Sequence, residues 1–342
     1  MRKTMLLVGA MAMMAASLFG QARQEEKASY PSGPITMIIP YGAGGTADVS
    51  GRQFAALLSK QLGQGVTVVN QGGASGSIGC KAARDAQPDG YTVLFTAESL
   101  GTQRVMGLSD MSYADFAPIM AVVNDPKVIV VAKDSKYRTF QDLLDDMKAN
   151  PGKVKMSYTG PGGSGHVQGL IMERLGYKPA MTAYKGGNDC FLAVLSGEVD
   201  FTNSNFATVT GYIQSGDLRL LAVSSNHHLA AYPDVPIFEE VVPEAAPYMK
   251  NAFTPLNFLV SKDVPAAIQQ VLRDASLKVV QDPAWVSFAD KNCLEKLYEE
   301  YPTIDDIKRF YASWESQVSW MLFDAGATKY SPEKFGIPKP QN

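Results

Sequence analysis

The sequence is poor in the residues that build metal, redox and nucleophilic sites. It holds 3 cysteines and 3 histidines in 342 residues. Cys80, Cys190 and Cys293 are far apart in the sequence and do not have the spacing of a metal site. We expect buried or half-buried thiols, and one disulfide is the alternative in an oxidising compartment. The side chains of the adjacent pair His227–His228 diverge on any regular element. No metal site is therefore expected.

Positive charge is also not in excess. The chain has 31 Lys and Arg against 34 Asp and Glu, with mixed signs throughout and a formal net charge of −3. Without a basic stripe, binding to nucleic acid is not expected. After the N-terminus no apolar run is long enough to cross a bilayer. These absences favour a soluble globular chain.

The first 22 residues have the pattern of an export signal. Met1–Thr4 carries positive charge, and the apolar run that follows to Phe19 is too short to span a membrane. Small residues in Gly20–Ala22 place cleavage after Ala22, whereas a retained membrane anchor is the alternative. A lipid anchor is not expected, because Gln21 stands where the lipidated cysteine would be. We therefore expect an exported, periplasmic chain of about 320 residues, which is enough for two lobes.

The most informative pattern is a glycine-rich turn between a buried strand and a helix. Ile35–Ile39 predicts the strand, Pro40–Asp48 holds the glycines, and apolar positions from Phe54 to Leu62 predict the helix. Thr159–His166 is a second turn of this kind. Glycines let the backbone approach a ligand, and the free N–H groups and dipole of a helix N-terminus favour negative charge. Two such loops indicate one small anion held between two lobes.

Short β-rich runs alternate with helical patterns, which predicts an α/β fold with largely parallel strands. Helices are predicted after Thr139, Ser164 and Asn188, and the chain from about Pro265 onward is expected to be mainly helical. The predicted strands are Ile35–Ile39, Val66–Val69, Tyr91–Phe95, Val128–Val131, Met156–Tyr158, Thr182–Tyr184, Val199–Thr202, Leu220–Val223 and Phe258–Val260.

Two proline-containing segments, Asn124–Pro126 and Tyr232–Pro236, are candidate crossings between the lobes. They divide the chain into a discontinuous first lobe, residues 23–125 with 233–342, and a second lobe, residues 126–232. A cleft between two lobes is a favoured place for a small-molecule site.

The sequence contains partial matches to enzyme motifs, but none of them is complete. Gly42–Ala47 is close to a dinucleotide fingerprint, but the second predicted strand ends at Asn70 rather than at an acidic residue. Gly160–Gly165 has a phosphate-loop outline, but His166 replaces the required lysine. No Gly-x-Ser-x-Gly elbow occurs. Asp48 and His166 are expected at helix N-termini rather than in an acid–base pair, so neither catalysis nor a cofactor is expected.

Short motifs, most of which contain glycine or proline, follow one another from about Tyr30 to Gly326. They are Tyr30-Pro31, Gly44-Gly45, Gly73–Gly79, Pro88–Thr92, Asp115–Ile119, Asn150–Lys153, Gly160–His166, Tyr184–Gly187, Gly197–Asp200, Leu218–Val223, Pro233–Pro236 and Trp314–Gly326. In this order they resemble the exported solute-binding proteins of tripartite tricarboxylate transporters, the Bug or TctC-like family. Ala43 departs from the pattern, because that family usually has proline there.

The resemblance implies a two-lobed, type II periplasmic-binding-protein-like fold, in which each lobe is a mainly parallel sheet flanked by helices and the ligand cleft lies between them. It implies that the two glycine loops hold the proximal carboxyl group of a carboxylate ligand. The residues matched to that role are Tyr41, Gly42, Ala43, Gly44, Gly45, Asp48, Thr159, Gly160, Gly162, Gly163, Ser164 and His166. The residues matched to the cleft wall are Asn70, Gly76, Ser77, Glu98, Ser99, Tyr184, Asn203, Ser204 and Asn205.

The matched loops contain no arginine, so N–H groups and helix dipoles would bind the anion. Glu98 leaves two readings open: facing the ligand it would repel a second carboxylate, and turned away it would be a solvated loop residue. The implied partners are a small organic carboxylate and the membrane subunits of a transporter, with the protein itself a monomer. A ligand-presenting partner of a sensor fits the same residues, and an exported enzyme would need a nucleophile–base pair that the sequence does not offer. Which carboxylate is bound stays open.

Overall fold

The computed structural model describes residues 30–225, 227–249 and 253–340. The predicted signal peptide, residues 1–22, lies outside them. The described chain forms two five-stranded sheets, each flanked by helices. This arrangement confirms the two-lobed α/β expectation.

The described residues form ten strands and thirteen α-helices. The strands are β1 Ile35–Ile39, β2 Val66–Asn70, β3 Thr92–Thr96, β4 Phe116–Asp125, β5 Lys127–Ala132, β6 Lys155–Thr159, β7 Ala180–Tyr184, β8 Phe201–Asn205, β9 Leu218–Ser224 and β10 Thr254–Ser261. The helices are α1 Thr46–Leu62, α2 Ser77–Arg84, α3 Gln103–Met106, α4 Phe140–Ala149, α5 Ser164–Arg174, α6 Gly187–Leu195, α7 Phe206–Gln214, α8 Phe238–Val241, α9 Ala246–Met249, α10 Ala266–Gln281, α11 Pro283–Lys291, α12 Leu297–Glu300 and α13 Ile304–Asp324.

Both sheets are mixed, which corrects the expectation of mainly parallel sheets. The first sheet has the order β2-β1-β3-β10-β4, in which β1 is parallel to β2 and β3 while β10 is antiparallel to β3 and β4. The second has the order β7-β6-β8-β5-β9, in which β6 is parallel to β7 and β8 while β5 is antiparallel to β8 and β9. The antiparallel pairs involve β5 and β10, the strands that follow a passage of the chain from the other sheet rather than a helical crossover within their own sheet.

The chain passes between the sheets at two places. β4 ends at Asp125 and β5 begins at Lys127, so Pro126 alone separates the two sheets there, which is where the sequence places the first crossing. The chain returns to the first lobe later in the sequence than expected. Ile237 forms a bridge with Val223 of β9, and the ring of Phe238 packs edge-on against Phe140 of α4 with centroids 5.0 Å apart. These contacts favour a return after Met249 rather than at residue 233.

Helix ends and buried faces follow the local sequence closely. Thr139 begins α4 with a capping box, since its Oγ1 accepts from Asp142 N at 3.1 Å and Asp142 Oδ2 accepts from Thr139 N at 2.9 Å. Such a cap is worth about 1 kcal/mol. In α6 the buried face runs through Cys190, Phe191, Ala193 and Val194, whereas Leu192 is 44% exposed.

The core of the first lobe holds the glycine turn against its sheet. Phe54 of α1 packs on Phe95 of β3, Phe258 of β10 and Trp285 of α11, with ring centroids 5.3 to 5.7 Å apart. Each fully buried ring stabilises the fold by about 2–3 kcal/mol. The strand before the turn and the helix after it are therefore both fixed by packing, and the loop between them has little freedom to move.

Candidate functional site

A cavity of about 870 Å³ lies between the lobes. The first lobe contributes the turn after β1, residues 72–76 and residues 97–99, and the second lobe contributes Lys127, the turn after β6, the turn after β7 and Asn205. This volume lies within the ordinary range for small-molecule sites, about 300–1,000 Å³. The two glycine loops singled out by the sequence thus meet at one cavity.

Some of the matched residues line the cavity in the structure, and others lie outside its lining. Those that line it are Tyr41, Gly42, Gly45, Gly76, Glu98, Ser99, Thr159, Gly160, Gly163, Ser164, Tyr184 and Asn205. Those that lie outside its lining are Ala43, Gly44, Asp48, Asn70, Ser77, Gly162, His166, Asn203 and Ser204. The second group includes the side chains whose hydrogen bonds hold both loops in shape.

Asp48 supports the first loop from behind. Its Oδ2 accepts from Gly44 N at 2.9 Å, and its Oδ1 accepts from Arg52 Nε and from Asn70 Nδ2, both at 2.8 Å. The Asn70 amide also donates to Tyr41 O at 3.2 Å, which ties β2 to the loop. Burial raises the pKa of Asp48, but these hydrogen bonds outweigh it and lower the pKa below its ordinary value. Both predicted contact residues, Asp48 and Asn70, are therefore positioning residues for the loop.

His166 does the same for the second loop. Its Nδ1 accepts from Gly162 N at 3.1 Å, which requires the neutral ring with the proton on Nε2. The ring stacks on Tyr158 with centroids 4.9 Å apart, and burial lowers its pKa. Gly162 has φ +79°, and a Cβ there would lie 2.7 Å from Thr102 Oγ1 of the other lobe. Only glycine allows the loop to approach the first lobe this closely.

Hydrogen bonds join the two lobes around the cavity. Ser75 Oγ donates to Pro161 O at 3.0 Å, and Thr102 Oγ1 donates to Gly162 O at 2.9 Å. These bonds connect first-lobe side chains to the backbone of the second glycine loop. The second glycine loop is therefore seated on the first lobe at the edge of the cavity.

Glu98 borders the cavity and is buried, so it is not a solvated loop residue, while its contact with a ligand stays a prediction. The residue is 4% exposed, and its Oε1 accepts from Ser164 N, the first N–H of α5, at 2.6 Å. Its Oε2 is buried and has no hydrogen-bond partner among the described residues. A carboxylate from the first lobe therefore caps a helix of the second lobe.

Lys127 is the cavity residue that the sequence analysis missed. It begins β5 immediately after the crossing, is 3% exposed, and donates from Nζ to Asn203 O at 3.3 Å. Burial lowers the pKa of its ammonium, while the charges of Glu98 and Asp125 oppose that shift. A lysine at the start of a strand usually reaches solvent along its stem, so no local pattern predicts this burial.

A third glycine turn, which the sequence does signal, also borders the cavity. Lys185–Gly187 follows β7 and opens α6, repeating the arrangement of strand, glycines and helix. It lies against the first loop, since a Cβ on Gly45 would sit 3.9 Å from Gly187 N and one on Gly44 would sit 3.7 Å from Asn188 Cγ. Glycine turns from both lobes thus lie side by side at the cavity.

Asp125 connects the lobes at the first crossing. It is fully buried, its Oδ2 accepts from Thr46 Oγ1 at the start of α1, and its Oδ1 accepts from Ala207 N of α7 at 3.2 Å. Burial raises its pKa to about 7. One carboxyl group therefore holds the first turns of helices from both lobes beside the cavity.

Features of other site classes are not found in the described ranges. They contain no group of three or more His, Cys, Asp and Glu side chains placed to hold a metal ion, and no helix there has the length and apolar character needed to cross a membrane. His227 and His228 contact different carboxylates, Glu295 and Glu240, each at 3.0 Å. The cysteines are free thiols, Cys80 and Cys190 being buried and Cys293 half-buried.

Comparison with known proteins agrees with this geometry. The profile of the TctC family, described as the tripartite tricarboxylate transporter family receptor, matches residues 50–316. The protein BugT of Bordetella pertussis is 33% identical over 218 residues, which cover 62% of this chain and 67% of BugT. The solved periplasmic binding protein BugD is 26% identical with a TM-score of 0.80, over 88% of this chain and all of BugD.

An R. palustris protein solved with adipate shares the fold, with a TM-score of 0.79 at 21% identity over 87% of this chain and 99% of that one. The family match covers most of the chain, and the fold and the interlobe cavity accord with it. The chain belongs to the TctC family of tripartite tricarboxylate transporter receptors, which are periplasmic solute-binding proteins.

Proposed function

We propose that this protein is an exported solute-binding protein that captures a small organic carboxylate in the cleft between its lobes and delivers it to the membrane subunits of a tripartite tricarboxylate-type transporter. One observation carries the proposal: a cavity of ligand size between the lobes is lined by glycine turns of both lobes, with a buried lysine, Lys127, beside them. Each of these groups favours an anion. The related R. palustris structure holds adipate, a dicarboxylate.

Catalysis is not part of the proposal. His166 and Asp48, the residues that could form an acid–base pair, each use their side chains to hold a loop, as described above. In addition, neither lines the cavity. A bound carboxylate should therefore be recovered chemically unchanged after long incubation with the pure protein.

A thermal-shift screen tests the proposal. Mono-, di- and tricarboxylates and aromatic acids would be added to the purified protein, with neutral sugars and inorganic cations as controls. A ligand at a hundred times its dissociation constant should raise the free energy of unfolding by about 2.7 kcal/mol. The variant Lys127→Met should respond less to every acid, because it keeps the length of the side chain without its charge. Stabilisation by sugars or cations but by no acid would contradict the proposal.

A further inference from the structure

Side chains of the first lobe make hydrogen bonds to one short stretch of the second lobe, residues 161–164. Two of these bonds come from hydroxyl groups and were described above. In addition, Glu98 Oε1 accepts from Ser164 N at 2.6 Å, and Thr254 Oγ1 shares a hydrogen bond with Ser164 Oγ at 2.8 Å. We call this set of contacts the interlobe latch. Its first-lobe side chains are Ser75, Glu98, Thr102 and Thr254.

Glu98 makes the strongest contact of the interlobe latch. The other bonds join neutral groups, whereas Glu98 brings a carboxylate to the first N–H group of α5, where the helix dipole favours negative charge. Both Glu98 and Ser164 are buried, so water competes little for this bond. The charge of Glu98 also opposes the lowering of the pKa of Lys127 by burial, and Lys127 belongs to the second lobe. The carboxylate therefore attracts two groups across the interface.

The first lobe holds Glu98 rigidly. Glu98–Thr102 is a short 3₁₀ helix that follows β3, and all of its residues are buried. Within it, a Cβ on Gly101 would lie 2.9 Å from ring atoms of both Trp314 and Tyr113. This close packing leaves the short helix no room to shift against its lobe. Glu98 and Thr102 are thus presented to the second lobe in fixed positions.

Ser75 is held under strain at the other end of the contact. Ala74 and Ser75 have φ +46° and +50°, in the left-handed region that is unfavourable for residues other than glycine. A Cβ on Gly160 would lie 2.6 Å from Ser75 Oγ, so the two lobes approach closely here. Strain of this kind persists where surrounding contacts enforce it, and it is typical of clamps and switch segments.

We infer that Glu98 is the residue that holds the interlobe latch together, so that the lobes stay joined at the second glycine loop through a bond within the chain itself. Ser75, Glu98, Pro161 and Ser164 also line the cavity, so separating the latch opens the cavity wall. Passage through this wall then requires the bond between Ser164 N and Glu98 Oε1 to break. Because Glu98 acts through the second loop, it is in this role a positioning residue.

Single-molecule energy transfer in the protein without added acid tests the inference. Dyes on Lys60→Cys of α1 and Lys178→Cys of the second lobe report the distance between the lobes, in a Cys293→Ser background whose other two thiols are buried. Glu98→Ala leaves Ser164 N buried and unpaired whenever the lobes meet. The ratio of joined to separated molecules should therefore fall about tenfold or more. Glu98→Gln keeps an acceptor oxygen without the charge and should lie between wild type and Glu98→Ala.

Two further variants separate the latch from general stability. Asp142 accepts from Arg138 N at 2.8 Å and from Thr139 N at 2.9 Å at the start of α4, within the second lobe alone. Asp142→Ala should therefore lower the free energy of unfolding in urea and leave the ratio of joined to separated molecules unchanged. Thr102→Val removes the bond to Gly162 O with little change of volume. It should move the ratio in the direction of Glu98→Ala by about twofold to fivefold, and it keeps the test decisive if Glu98→Ala does not fold.

The outcomes are independent of the proposed function. Equal ratios in wild type and both latch variants, or a shift in Asp142→Ala as large as that in Glu98→Ala, would overturn the role of Glu98. Since the measurement uses no acid, that result would leave carboxylate binding untouched. Conversely, failure of every acid to bind would overturn the proposed function and leave the interlobe latch standing.

Discussion

Replacing Asp48 tests how the first glycine loop is held. Asp48→Ala removes the acceptor of three hydrogen bonds, from Gly44 N, Arg52 Nε and Asn70 Nδ2. The Arg52 side chain is 51% exposed, so its ion pair contributes about 0.5 kcal/mol after solvent screening. The bonds from Gly44 and Asn70 to a buried carboxylate contribute about 1 kcal/mol each. We expect the free energy of unfolding to fall by about 2–3 kcal/mol.

Urea unfolding of Asp48→Ala beside Arg52→Ala measures this difference. Arg52→Ala removes the half-exposed ion pair and an exposed bond from Arg52 Nη2 to Asn70 Oδ1 at 2.6 Å, and should cost about 0.5–1 kcal/mol, below the cost of Asp48→Ala. Because the loop lines the cavity, Asp48→Ala should also weaken carboxylate binding about tenfold, which corresponds to 1.4 kcal/mol. Equal losses for the two variants, or unchanged affinity in Asp48→Ala, would refute the supporting role of this carboxylate.

The difference in unfolding free energy between wild type and Asp48→Ala should depend on pH in a definite direction. Since the folded pKa of Asp48 lies below its ordinary value of 3.8, its stabilisation is fully present above about pH 4–5. It is lost as the pH falls through the folded pKa. The stability gap between wild type and Asp48→Ala should therefore close only at strongly acidic pH.

Two further predictions concern the second loop. Gly162→Ala should weaken carboxylate binding at least about tenfold, as measured by calorimetry, because φ +79° and the close approach to Thr102 leave no room for a Cβ. The control Gly211→Ala lies on α7 with open space around it and should leave the affinity unchanged. Burial lowers the pKa of His166, so its stabilisation is present above about pH 6.5 and is lost as the pH falls through the folded pKa. Between pH 7 and the folded pKa, urea unfolding of His166→Gln should show a flatter stability profile than wild type, and parallel profiles would contradict this.

Local patterns predicted much of the fold. All nine predicted strands overlap observed ones, and Thr139 begins a helix with a capping box, because cap chemistry acts over a few residues. The strand β4 was missed, since Pro118 near its start is atypical of a strand. Here β4 is the edge strand of its sheet, and Pro118 lies at an irregular register of its pairing with β10. The antiparallel pairs depend on where the chain re-enters a sheet, which no local pattern encodes.

The candidate site was predictable in its backbone and less so in its side chains. Glycine turns can be recognised from composition alone, and both loops predicted in this way line the cavity. Whether a polar side chain turns toward the ligand or toward its own loop depends on neighbours distant in sequence, as for Asp48 with Asn70 and Glu98 with Ser164. The burial of Lys127 arises from its place beside the crossing, where residues of both lobes cover it.

The strand order has a consequence for the sequence in which the lobes can be completed. The second sheet is built from one continuous stretch, β5 to β9, residues 127–224, and all its strands are present once that stretch has been synthesised. The first sheet instead keeps an inner place open between β3 and β4, which β10 fills from residues 254–261. Although its first strand begins at residue 35, the N-terminal lobe cannot be finished before the lobe inserted within it is available along the chain. Folding lobe by lobe therefore runs against the order of the chain here, with the inserted lobe first and the N-terminal lobe last.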